Sequence, residues 1–297
     1  MYRWTDVEVT VYAQDLCDGS FRADRLQTEI LARAQLRHPH IVFFFGASIL
    51  PDACLILNEV LPGGSLAGLY ARQRAKPPLL GRSWRAKRAQ ALEWALGLAR
   101  AMSYMHMSDP LVVHGGLRPD RLLLTASGVL KVSGFADCSL GPPHPPAPPS
   151  PPPSADAPPA PYCALDHGRA TQGGDGAGDG YLAPELLPHA PSHQAAGRSG
   201  GQGTPASDVY AAGGCMWFMR TGRQPCPPPL AKRGAGGASG ADAVEWAGLA
   251  EAIVAAWAAD AAARPSGEVL VSQLEALRDQ AACCLPVAAG CCAVHQA

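Results

Sequence analysis

Two adjacent thiol pairs, Cys283-Cys284 and Cys291-Cys292, form the densest concentration of reactive side chains in this 297-residue chain. Clustered thiolates can bind a soft metal or carry palmitate. Here Cys-x-x-Cys spacing and a basic flank are both missing, so the favoured reading is an Ala-rich tail over residues 279–297. The remaining cysteines, at 17, 54, 138, 163, 215 and 226, are scattered. No apolar stretch follows the opening Met-Tyr-Arg-Trp-Thr-Asp, so no signal peptide is expected. Reduced thiols and a cytoplasmic location follow as expectations. No run of about 18 apolar residues occurs, so no transmembrane helix is expected.

A second concentration is His114-Gly115-Gly116-Leu117-Arg118-Pro119-Asp120-Arg121, which carries one imidazole and two guanidinium groups. Gly134-Phe135-Ala136 begins thirteen residues after Arg121. The chain as a whole is nearly neutral, with 24 basic and 25 acidic residues and a net charge of −1. No long-range field draws in nucleic acid or a membrane surface.

The elements that must position these groups are legible from periodicity. Residues 7–13 alternate like a half-buried strand, and 24–37 carry Leu26 and Ile30 at helical spacing. Residues 41–45 and 54–57 are short β-forming runs split by a Pro51-Asp52 turn. Pro62-Gly63-Gly64 breaks the chain, and Ser65 is placed to cap a short helix. Residues 85–107 form the clearest helix, with Leu92, Ala95, Ala99 and Met102 on one stripe. Strands are expected at 111–113, 122–124 and 129–132, the last two joined at Ser127-Gly128. From 141 to 180 the chain is rich in Pro, Ala and Gly and cannot bury a core, which reads as a disordered insert. Helical pattern resumes at Ala183 and at 209–220. A poor segment at 224–240 follows, and helices at 245–257 and 266–278 close the chain. The expected fold is α+β, with a small strand-rich lobe, a larger helical lobe and a hinge near 58–64.

Taken together, the stretches resemble a known pattern. Residues 114–121, followed by three Leu, resemble the protein-kinase catalytic loop H-R-D-L-K-P-x-N, and Gly134-Phe135-Ala136 stands where a kinase carries D-F-G. Gly180-Tyr181-Leu182-Ala183-Pro184-Glu185 is similar to the end of an activation loop. Ser207-Asp208-Val209-Tyr210 is similar to the start of the long central helix, and Trp257 with Arg264-Pro265-Ser266 is similar to later landmarks. Upstream, the stretch from Glu29 to Val42 resembles the αC helix and following strand, and 57–61 resemble the hinge. The resemblance is to the protein-kinase superfamily, in its tyrosine-kinase-like branch. The His-Gly start of the loop also resembles the kinase-homology domain of receptor guanylyl cyclases. It implies a bilobal domain over 7–278, with 7–61 as a truncated N-lobe and 62–278 as the C-lobe.

The resemblance also implies where the chemistry should be. Tyr12 stands 17 residues before Glu29, at the position of the phosphate-clamping Lys, and a phenol is neutral at pH 7. Gly116 replaces the catalytic Asp. Arg121 and Gly134 replace the two magnesium ligands, where a hard cation wants oxygen. Arg118 keeps a positive charge at the catalytic-loop Lys position. No Gly-rich strand pair precedes Val9. Glu29 is expected either as an exposed helix carboxylate or as a group needing solvent or another cation as partner. Asn58, Glu59 and Leu61 are the hinge candidates for a nucleotide.

Residues implied to be structural are kept: His114 in the loop core, Asp208 holding the loop, and Glu185 with Arg264 as a buried ion pair. Losing several charge-stabilising groups together leaves little rate. Three readings follow. The first is a catalytically inactive pseudokinase acting as a scaffold or regulator, with no cofactor. The second is an active kinase of the Ser/Thr or tyrosine-kinase-like type, using ATP and Mg through non-standard residues. The third is a truncated or decayed kinase gene product. Expected partners are proteins, such as a kinase or a reader of the Pro-rich stretch at 145–153, and not nucleic acid.

Overall fold

In the computed structural model, residues 2–4, 7–15, 23–50, 53–76, 84–141, 179–187, 203–225 and 241–283 are described. Most of the 141–180 insert, residues 226–240 and the tail from 284 lie outside them, and so do the side chains of Tyr12 and Cys283.

The first part of the chain is a strand-rich layer. Strands β1 (Tyr2–Trp4) and β2 (Val7–Asp15) come first, then helix α1 (Ala23–Gln35), then β3 (Phe44–Ile49) and β4 (Ala53–Glu59). The sheet is antiparallel in the order β1-β2-β4-β3, with Val9 opposite Glu59 and Tyr12 opposite Ile56. Cys54 and Ile56 are fully buried while Leu55 and Leu57 are half-buried, as a period of two requires. With Leu26 and Phe44 they form a small core under α1, against which Ile30 packs. β3 is an outer strand whose register slips between Phe44 and Gly46, and Ala47, Ser48 and Ile49 are exposed.

Ile41 and Val42 do not begin β3, as the sequence pattern suggests. Ile41 bridges Val132 in parallel, Val42 N–H donates to the Val132 carbonyl at 2.9 Å, and Val132 N–H donates to His40 at 2.8 Å. This splice ties the chain after α1 to the segment that carries Gly134.

The second part is mostly helical. After β5 (Gly64–Ser65), helix α2 (Leu66–Arg74) starts at Ser65, whose Oγ accepts from Gly68 N–H at 3.1 Å. A serine there satisfies one of the four orphan donors of a helix start. Helix α3 (Arg88–His106) buries Leu92, Ala95, Leu96, Ala99 and Met102. Strands β6 (Leu111–Val113), β7 (Leu122–Leu124), β8 (Leu130–Val132) and β9 (Ser139–Gly141) follow, pairing as β5-β7-β8 and β6-β9. Trp94 Nε1–H donates to Gly128 O at 2.8 Å and pins the β7–β8 hairpin to α3.

At Ala183 the expected helical pattern is replaced by two 3₁₀ turns, Asp179–Tyr181 and Pro184–Leu186. Leu187, which precedes Pro188, is extended at φ −69°, ψ 142°, so no α-helix continues. Helix α4 (Pro205–Thr221) begins earlier than its apolar pattern because Thr204 and Ser207 form a capping box and Pro205 occupies the first turn. It ends at Gly222, whose φ of 66° suits a residue without Cβ. Helices α5 (Ala241–Ala256) and α6 (Gly267–Cys283) complete the fold, and α3 packs against both α4 and α6. Leu270 and Leu274, one turn apart on α6, are fully buried. Tyr70 Oη donates to the Met219 carbonyl, joining α2 to α4.

Candidate functional site

The segment 114–121 runs between β6 and β7, and the turn 134–137 follows β8. Asp208, in the first turn of α4, holds the first of these. Its carboxylate accepts from His114 N–H at 2.8 Å and Gly115 N–H at 2.9 Å, and it meets His106 Nε2 at 3.0 Å. The helix N-terminus favours negative charge at this spot. His106 carried no sequence signal for this contact.

His114 is fully buried, and both ring nitrogens are occupied. Nε2 lies 2.9 Å from the Ser133 carbonyl, and Gly116 N–H reaches Nδ1 at 3.3 Å. Those partners assign the proton to Nε2. Burial pushes the imidazole pKa down, which keeps the ring neutral. It packs on Phe135, with ring centroids 4.8 Å apart.

Arg121 crosses the space between the two segments. Nη2 pairs with Asp137 at 2.8 Å, and Nη1–H donates to the Gly134 carbonyl at 3.2 Å. Its own carbonyl accepts from both N–H and Oγ–H of Ser133, at 2.8 Å each. Arg118 is by contrast outward, 40 % exposed, and 3.5 Å from Asp120.

Glu29 is not an exposed helix carboxylate. It is buried on α1 and bonded by Arg33 one turn on, at 3.2 Å. Arg33 also donates to Asn58, and its guanidinium lies 4.9 Å from the Phe44 ring centre and 5.8 Å from that of Phe135. Burial raises the Glu29 pKa and lowers that of Arg33, so desolvation outweighs the attraction within the pair. Spacing alone could have found this pair, since residues four apart on a helix are neighbours. Glu59 turns the other way: Lys131 reaches it at 2.6 Å, and it accepts from Phe43 N–H at 2.7 Å. The Leu61 carbonyl accepts from Gly64 N–H at 3.1 Å, closing the turn into β5. Tyr12 stands on β2 opposite Ile56.

The far anchor is Glu185 with Arg264. The guanidinium makes a two-pronged contact at 2.6 and 2.8 Å, donates to the Ala206 and Ala258 carbonyls, and lies 5.0 Å from the Tyr210 ring centre. Burial alone would raise the Glu185 pKa. The Arg264 hydrogen bonds, a backbone N–H and the guanidinium charge bring it below the ordinary range instead.

Among the described residues no three His, Cys, Asp or Glu side chains cluster as a metal site. Burial raises the thiol pKa values of Cys54, Cys215 and Cys138, the last to about 12, which disfavours the thiolate form. No helix among the described residues is long and apolar enough to cross a membrane.

Residues 4–139 match the family model for protein tyrosine and serine/threonine kinases. That stretch runs from the first strand through the Gly134-Phe135 turn. A strand-rich part followed by helices is consistent with a kinase-like fold. Over 286 residues, 93 % of the chain, the sequence is 28 % identical to the probable serine/threonine-protein kinase SIS8 of Arabidopsis thaliana. It is 28 % identical over 224 residues, 74 % of the chain, to serine/threonine-protein kinase CTR1. It is 30 % identical over 132 residues, 44 % of the chain, to integrin-linked protein kinase 1, both also from Arabidopsis thaliana. These alignments span 23 %, 22 % and 26 % of the relatives' own lengths.

Proposed function

We propose that this kinase-like domain works by binding protein partners and does not transfer phosphate, as a pseudokinase of the tyrosine-kinase-like branch. The observation that carries the reading is Arg121. A Cβ built on Gly116 would lie 2.1 Å from its Nη1. A cation therefore stands where a proton acceptor and metal ligands would be needed. Gly116 and Gly134 supply no oxygen from a side chain. Arg33 takes up Glu29, which leaves that carboxylate no part in fixing a strand cation for phosphate.

The anchors argue that the fold itself is what is useful. Asp208, His114 and the Glu185–Arg264 pair keep loops in place, which a binding surface requires. The partner class is protein. The relative named integrin-linked protein kinase carries a protein partner in its name, and the composition of 145–153 is of the kind that readers of Pro-rich segments recognise. A cytoplasmic setting belongs to the same proposal.

The test is a thermal-shift titration of the purified chain with ATP, with and without magnesium. A ligand at 100 times its dissociation constant adds about 2.7 kcal/mol to the folded state. No shift under either condition is expected. A magnesium-dependent shift accompanied by phosphate transfer to a generic protein substrate would sink the proposal.

A further inference from the structure

The glycines of the cleft and Arg121 are sterically one unit. A Cβ on Gly134 would lie 2.8 Å from Arg121 Cδ and 2.9 Å from Cγ, and one on Gly116 would meet the guanidinium and, at 2.9 Å, Asp137 Oδ2. The arginine thus runs through the volume that a side chain at either position would claim. Beside it the two backbones touch: a Cβ on Gly115 would lie 2.4 Å from the Asp137 carbonyl oxygen. Gly115 and Gly134 have φ of 70° and 76°, in the left-handed region that admits glycine at no steric cost. Besides the His114–Phe135 packing and the Ser133 bonds to the Arg121 carbonyl, the segment 114–121 and the turn 134–137 are joined by backbone contact at Gly115, by the Arg121–Asp137 pair, and by the Arg121 hydrogen bond to Gly134.

We propose that Arg121, half-buried and paired with exposed Asp137, is a resident cation that fastens the two segments together and keeps them ordered with no nucleotide or metal present. The inference rests on the non-transferring reading above. In a cleft that holds magnesium through residues on both segments, the metal would be the fastener. Here a guanidinium bonded to a carboxylate and a carbonyl joins the same two pieces of chain.

The experiment is hydrogen exchange on the full chain without nucleotide, comparing the wild type with Arg121→Ala, Asp137→Ala and the double variant. Arg118→Ala serves as the control for losing an outward arginine. Arg121→Ala and Asp137→Ala should each speed exchange about fivefold in peptides covering 114–121 and 133–138, with 205–221 unchanged. The double variant should add little beyond either single, because both remove one clamp. Arg118→Ala should change nothing in these peptides. Unchanged exchange in Arg121→Ala, or single effects that multiply in the double, overturns the inference. Should Arg121→Ala fail to fold, Asp137→Asn keeps the shape and removes the charge, and its exchange in the same peptides decides alone. Phosphate transfer to a generic protein substrate by the wild type in ATP with magnesium would overturn the non-transferring reading instead, a result separable from failure of the clamp.

Discussion

Removing one end of the Glu185–Arg264 pair should produce an unequal and pH-dependent loss of stability. The Arg264 side chain is 0 % exposed and that of Glu185 is 25 % exposed. Breaking a buried pair typically costs about 3–5 kcal/mol, because the partner is left charged and dry. In Glu185→Gln the arginine keeps its bonds to the Ala206 and Ala258 carbonyls and its stacking on Tyr210, so about 2–3 kcal/mol is expected. Arg264→Met additionally strands those carbonyls, each costing about 1–3 kcal/mol if it stays dry, and should be the worse variant. With a urea slope of about 2 kcal/mol per molar, Glu185→Gln lowers the unfolding midpoint by roughly 1–1.5 M. Because the Glu185 pKa is held below its ordinary 4.5, the unfolded chain takes up the proton first as pH falls. The pair's contribution is therefore complete above pH 4.5 and is lost as pH falls through the lower folded value. Urea melts of wild type and Glu185→Gln at pH 7 and at pH 3 measure this. A difference equally large at both pH values, or Glu185→Gln as costly as Arg264→Met, would refute the reasoning.

Three further outcomes are expected. Gly115→Ala should cost about 2–3 kcal/mol in thermal melts, since it combines a left-handed backbone with a Cβ 2.4 Å from a carbonyl oxygen. Gly116→Ala meets the side-chain ends of Arg121 and Asp137 and no backbone atom, so it should cost less than Gly115→Ala while displacing the Arg121–Asp137 pair. Arg33→Met should destabilise by about 3 kcal/mol in urea melts by leaving Glu29 buried and unpaired, whereas Glu29→Leu with Arg33→Met should recover most of that loss.

Much of the scaffold could be read from the chain before any coordinates. The stripe on α3, the Ser65 cap and the Ser127-Gly128 hairpin are local signals, and local signals survive in sequence. β1 and β9 are three residues each and exist only because a distant strand pairs with them, so no periodicity marks them. The start of α4 escaped because caps, not apolar residues, set it. At the site, the vacant positions Gly116 and Gly134 were legible one by one. What fills them was not, because Arg121 and Asp137 are brought together by a turn and a hairpin rather than by spacing. Glu29 has no cation at position 12 on the strand, and its partner is Arg33, one turn along its own helix, a spacing visible in the sequence.

The outer strand β3 has a practical consequence for anyone handling the protein. Its six residues, Phe44 to Ile49, carry no charge, no strand among the described residues pairs with its outer edge, and neither lysine nor proline discourages another strand from adding to it. Ile49, 71 % exposed, and half-exposed Leu50 make that edge adhesive as well as open. The edge is therefore one place where copies of the chain should adhere at high concentration. A lysine at Ala47, which points to solvent, is the natural solubilising change, because it touches neither the arginine clamp nor the buried anchors.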